Sequence, residues 1–113
     1  MSRSYSVDFI KETEESTSDR TGVRFAKVCI KSNIPALYIS AVMGVSRMTI
    51  YSWFRGKPLR DKNEEAVKLL INIIEADLSS GILPAKDLTA AKSYLESLTD
   101  TTIEDSSIEE PQL

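Results

Sequence analysis

Histidine is absent from the 113 residues and cysteine occurs once, as Cys29. Zinc sites of the Cys/His kind, Ser-His-Asp triads and Cys-His pairs therefore cannot be assembled within one chain, nor can an internal disulfide. Cys29 falls on an apolar helical pattern, where a thiol behaves as a small hydrophobe. The four glycines, Gly22, Gly44, Gly56 and Gly81, are isolated, so no phosphate-cradling Gly-rich loop exists and each reads as a helix boundary. Long apolar runs are missing too. The longest uncharged stretch, Ile34 to Ser46, is too short and too interrupted by Pro35, Ser40 and Gly44 to cross a bilayer. The N-terminus lacks an apolar signal-peptide region, which predicts a chain that stays in the cytoplasm. No nucleophile–base pair, cofactor motif or small-molecule site is apparent, and an enzyme is not expected.

Charge is unevenly spread. The chain carries a net −3, yet Arg20 to Lys62 holds nine bases against the single acid Asp61. A basic middle between acidic flanks suits a domain that meets phosphate while the rest stays solvated.

Periodicity predicts an all-α chain, a compact bundle of about five helices with flexible termini. Residues 1–19 are polar, and the run Glu12 to Asp19 has too little apolar surface to offset the entropy of ordering. They are read as a mostly disordered arm, although Tyr5, Val7, Phe9 and Ile10 are apolar enough to dock. A first helix is expected from Thr21 to Lys31, capped by Ser18 or Asp19, with Phe25, Val28 and Cys29 inward and Ser32-Asn33 as its stop. Pro35 suits the first position of a second helix ending near Met43. A third runs from Arg47 to Arg55, capped by Ser46 and closed by Gly56 and Pro58. A fourth opens on a capping box, Asp61 to Glu64, and carries Val67, Leu70, Ile71, Ile74 and Leu78 inward until Gly81. Its neighbouring face adds Leu69 and Ile73, a stripe wide enough to pack on the core and on something else. A fifth helix fits Asp87 to Leu98, with Leu88, Ala91, Leu95 and Leu98 as its stripe. The division is then an arm (1–19), a DNA-binding domain (20–80), a packing or dimerising helix (81–98) and an acidic disordered tail (99–113).

The segment Ile34 to Lys57 carries the functional reading. Two short helices at a steep angle need a small residue on the first where the second approaches, here Ser40. Gly44 follows for the turn, and Ile50 and Trp53 form the inward pair that seats the second helix. The pattern from Ser40 through Gly44-Val45-Ser46, Thr49-Ile50 and Trp53 to Gly56-Lys57 resembles the lambda-repressor-like, or Xre-type, helix-turn-helix family over about residues 20–78. The resemblance implies operator binding, commonly as a dimer, in a phage or bacterial repressor. Ala36 departs from the Gln often found at the start of the family's second helix.

With Ile50 and Trp53 inward, Arg47, Met48, Thr49, Ser52 and Arg55 are the candidates for base edges in the major groove. Arg47 and Arg55 suit guanine O6/N7, and Met48 or the Thr49 methyl suits a thymine methyl. Arg24, Lys27, Lys31, Ser46, Tyr51, Lys57 and Arg60 are the candidates for phosphates, supplying affinity without sequence choice. The expected partners are double-stranded DNA and a second copy of the chain, joined through the fourth and fifth helices. Two other functions fit a helical scaffold: an interaction module acting on a host polymerase or nuclease, and a packaging or architectural DNA binder.

Overall fold

Residues 4–103 are described by the structure, a computed structural model. Among them six helices follow one another without a strand: α1 (Val7–Glu15), α2 (Thr21–Ser32), α3 (Ala36–Met43), α4 (Arg47–Phe54), α5 (Asp61–Ser79) and α6 (Leu88–Thr99). The all-α class is as the sequence predicts. The five expected helices are α2 to α6, their ends moved by one or two residues. For example, Pro35 is the residue before α3 rather than its first, and Arg55 is the residue that caps the end of α4 rather than its last.

α2 and α5 pack most extensively on each other. Val23, Ala26, Val28 and Cys29 of α2 and Val67, Leu70, Ile71 and Ile74 of α5 are buried at helical spacing, each large side chain contributing about 1.5–3 kcal/mol. α3 packs on α4 and on α6, and α4 also packs on α2. Asn33 ties three segments together. It ends α2 in the left-handed conformation at φ 60°. Its side-chain oxygen accepts the Ser4 backbone N–H at 3.0 Å, and its amide donates to the Ala85 carbonyl at 2.9 Å.

The structure corrects three expectations. The arm is not disordered over its described part, because α1 forms there. Ser6 accepts the Phe9 N–H at the start of α1, Tyr5 is buried, and its hydroxyl donates to the Ile34 carbonyl at 2.6 Å. Burial of Tyr5 and partial burial of Phe9 and Ile10 supply the apolar contacts that the acidic run from Glu12 lacks. Second, the tail is ordered as far as Ile103, which is buried and donates its N–H to Glu96 at 2.7 Å. The arm's first three residues and the tail from residue 104 lie outside the described residues.

Third, two caps differ. Arg20 precedes α2 and Arg60 precedes α5, neither with a side-chain cap. Glu64 closes no local box; it accepts the Thr21 hydroxyl at 2.9 Å and pairs with Lys68 at 3.3 Å, joining the starts of α2 and α5. The Thr21 hydroxyl, more than Lys68, holds the Glu64 carboxyl below its usual range. Gly22, the second residue of α2, stands at a helix boundary as expected, but it also meets a need the sequence did not show: an added Cβ would lie 2.0 Å from the Trp53 carbonyl oxygen, so α2 and α4 touch backbone to backbone.

Candidate nucleic-acid interface

α3 and α4 are joined by three residues, and local chemistry fixes the bend. Gly44 takes φ 72° and returns its N–H to the Ser40 carbonyl at 2.9 Å, a left-handed conformation that favours glycine. Ser40 is buried, as its small size requires beside α4. Ser46 then caps α4 by accepting the Thr49 N–H at 3.0 Å, and its oxygen also lies 3.0 Å from the Thr49 hydroxyl. Ile50, Trp53 and Phe54 are buried, which leaves the rest of α4 to face away from the core.

On that outward face Arg47 is the first helical residue and is exposed. Met48 beside it is 80% exposed, a large apolar side chain that the described residues leave largely uncovered. Thr49 and Ser52 are half-buried, and the Ser52 hydroxyl donates to the Thr49 carbonyl at 2.7 Å. Its proton is thereby used internally, leaving lone pairs that can accept from a base amino group.

Arg55 is also exposed but sits at the other end of α4, about 12 Å along the axis from Arg47 at 1.5 Å per residue. Its guanidinium carbon lies 5.9 Å from the centre of the Tyr51 ring. Half-burial pushes the Tyr51 phenol above its ordinary value, against the opposing pull of Arg47 and Arg55. Tyr51 is therefore a neutral hydroxyl donor at pH 7, suited to a phosphate oxygen.

The phosphate candidates divide into two groups. Lys57 and Arg60 are exposed just beyond α4, and Ser46 is exposed at its start. Lys57 shares a cleft of about 300 Å³ with Arg20, Thr21 and Gly22 at the start of α2. Arg20 is thus brought to the interface, and its Cδ would lie 3.5 Å from a Cβ on Gly56. Its place among the basic residues was legible in the sequence, but its contact with the Gly56-Lys57 loop was not. Arg24, also exposed, stands one helical turn further along α2.

Lys27 and Lys31 form the second group, and they face α1. Lys27 donates through Nζ to the Ser16 carbonyl at the end of α1, at 2.8 Å. Lys31 shares a depression with Glu14, Tyr5 and Ile10. Of the candidates along α2, Lys27 is thus half-buried and engaged by a helix the sequence reading did not include, whereas Lys31 beside the same helix remains exposed.

The aromatic residues that hold α1 there reach α4 directly. The Phe9 ring is 5.6 Å from Tyr51 and 6.0 Å from Phe54, and Tyr5 is 6.2 Å from Phe54. Such edge and offset contacts add about 0.5–1.5 kcal/mol per pair beyond burial. Burial pushes the Cys29 thiol far above its ordinary value. Among the described residues no group of Cys, Asp and Glu side chains is arranged to hold a metal ion, and no helix is long and apolar enough to cross a membrane.

The chain matches no protein-family model, and no curated protein and no solved structure is significantly similar to it.

Proposed function

We propose that the chain is a non-enzymatic, sequence-specific, double-stranded DNA-binding regulator of the Xre helix-turn-helix kind, a phage or bacterial repressor acting in the cytoplasm. One observation carries the reading. A short helix, capped by Ser46, set after a left-handed glycine and anchored by Ile50 and Trp53, offers Arg47 and the exposed Met48 outward. A helix so mounted fits the major groove, where an arginine and an apolar side chain distinguish guanine and thymine edges. Arg20, Arg24, Lys57 and Arg60 are all exposed and are the cations we assign to phosphates; the first of these is suggested by the packing of α2 against the Gly56-Lys57 loop.

Gel retardation across a salt series tests this. With four phosphate contacts per copy, affinity for duplex falls roughly a hundredfold between 50 and 200 mM salt for one bound copy and roughly ten-thousandfold for a bound dimer, because each neutralised phosphate releases counterions. Retardation that does not change with salt, or none at any salt, excludes the reading and favours a protein-interaction module.

The active form we propose is a dimer through α5 and α6. Leu69 of α5 is 60% exposed, Ile82 63% and Leu88 53%. An apolar groove of about 740 Å³ runs between the 82–86 loop and α6, with Leu98, Ala90 and Tyr94 in its wall. Tyr94 is fixed by donating its hydroxyl to Asp77 at 2.5 Å. A two-fold pairing here would set two copies of α4 one duplex turn apart, roughly 34 Å, on a near-palindromic site. Sedimentation should report two chains per duplex; one chain, both free and on DNA, would discard the dimer.

A further inference from the structure

α1 is acidic, bearing Asp8, Glu12, Glu14 and Glu15 against Lys11, and it lies against cations that a DNA-binding face would use. Glu12 lines a cleft of about 200 Å³ with Arg55, Phe9 and Phe54. Glu14 lines the depression that holds Lys31, and the carbonyl at the end of α1 takes the Lys27 ammonium. One hydrogen bond, at Lys27, and two shared clefts, at Arg55 and Lys31, thus bring α1 and the residue that caps its end to three of the twelve predicted DNA-binding residues, and a fourth, Tyr51, packs on Phe9. The placement is structural rather than a chance approach, since Tyr5 is buried and bonded to Ile34.

We infer that Glu12 and Glu14 are an electrostatic brake on DNA binding. From the docked α1 they hold down the phosphate affinity that is common to all DNA sequences. The inference rests on the DNA-binding reading. Its physics is direct: a carboxylate beside Arg55 or Lys31 lowers the local positive potential without touching a base, and so weakens every site alike. A uniform factor leaves the ratio of specific to non-specific affinity as it was, so the two carboxylates set how tightly the chain holds any duplex and not which one it prefers. Neither carboxylate pairs with its cation within 4 Å, which leaves both cations able to turn toward a phosphate at a cognate site.

The test uses Glu12→Gln/Glu14→Gln, both positions being exposed, beside Glu65→Gln/Glu75→Gln on α5, which are also exposed and make the same change in net charge. The first pair should bind random-sequence duplex about three- to tenfold more tightly at low salt, each exposed charge contributing a fraction of a kcal/mol. Its salt dependence should steepen, and the α5 pair should change little. Equal tightening in both pairs means that net charge alone acts and overturns the inference, as does no change in either. Elution from immobilised heparin, a sulfated polyanion, gives a second readout that needs no duplex. Later elution of the α1 pair alone upholds the masking of cations even if wild-type chain retards no DNA, in which case only the DNA-binding reading fails.

Discussion

Gly22→Ala should lower the thermal midpoint by about 8–16 °C, measured by far-UV circular dichroism, at roughly 4–8 °C per kcal/mol for a domain near this size. The new Cβ would stand 2.0 Å from the Trp53 carbonyl oxygen, 2.6 Å from its carbon and 3.1 Å from its Cα. All three atoms are backbone, so no rotamer change relieves the clash, and α2 and α4 must separate. Separation pulls on Trp53, Ile50 and Phe54, which are all buried. Overpacking of this kind costs about 1–3 kcal/mol, and contact with a carbonyl belongs at the upper end. Alanine returns up to about 1 kcal/mol through its better helix propensity, which leaves a net loss near 2 kcal/mol. Gly44→Ala is the informative comparison. Nothing lies within 4 Å of its Cβ, so only the strain of φ 72° acts and the loss should be nearer 1 kcal/mol. A Gly22→Ala chain as stable as wild type would mean that α2 and α4 are not held together by this close approach.

The same glycine shows what could be read from sequence. Gly44, Ser46, Ile50 and Trp53 were legible because each acts through neighbours three or four residues away: a cap, a turn, a stripe on one helical face. Ser46 does accept from Thr49, and Asp87 from Ala90, three residues on in both cases. Gly22 acts on Trp53, Asn33 on Ser4 and Ala85, and Thr21 on Glu64, across separations of 29 to 52 residues in the hydrogen-bonded cases. No local pattern marks such pairs. Misreading the arm has the same origin. The segment from Glu12 onward is too polar to fold alone, and it is ordered because Tyr5 and Phe9, placed before it, have a site on α2 and α4 that exists only once those helices have packed. The surroundings of the α2 lysines were hidden for the same reason. Lys27 and Lys31 are on the outer side of their helix, as expected, but α1 lies close by, half-burying Lys27 while Lys31 stays exposed.

These placements also divide the labour on α4. Arg47 starts the helix with its charge exposed beside Met48, whereas Arg55 ends it over the Tyr51 ring and next to the cleft of Glu12. On the DNA-binding reading proposed above, the start of α4 carries the strongest case for base contacts, and the far end lies beside acidic α1. Ser46 and its neighbours strengthen this asymmetry, because the amides at a helix start favour a phosphate close to Arg47.

Arg47→Ala should therefore cost about 1–3 kcal/mol at one base pair of the selected site, a loss of roughly 5- to 150-fold against that base and little against random duplex. Lys57→Ala should weaken all duplexes about equally and reduce the slope of log affinity against log salt by about 0.9, one phosphate's share. The two residues stand on different elements of the same unit, Arg47 on α4 and Lys57 in the loop beside Arg20, so neither change disturbs the buried seat formed by Ile50 and Trp53. Selection from random duplex, followed by titration of single-base variants of the winning site, separates the effects. Arg47→Ala must flatten the preference at one position, in both half-sites if two copies bind, while Lys57→Ala keeps every preference and shifts all affinities together. If both substitutions lower every sequence by the same factor, Arg47 is only another phosphate contact, and the choice of sequence must reside in Met48, Thr49 and Ser52.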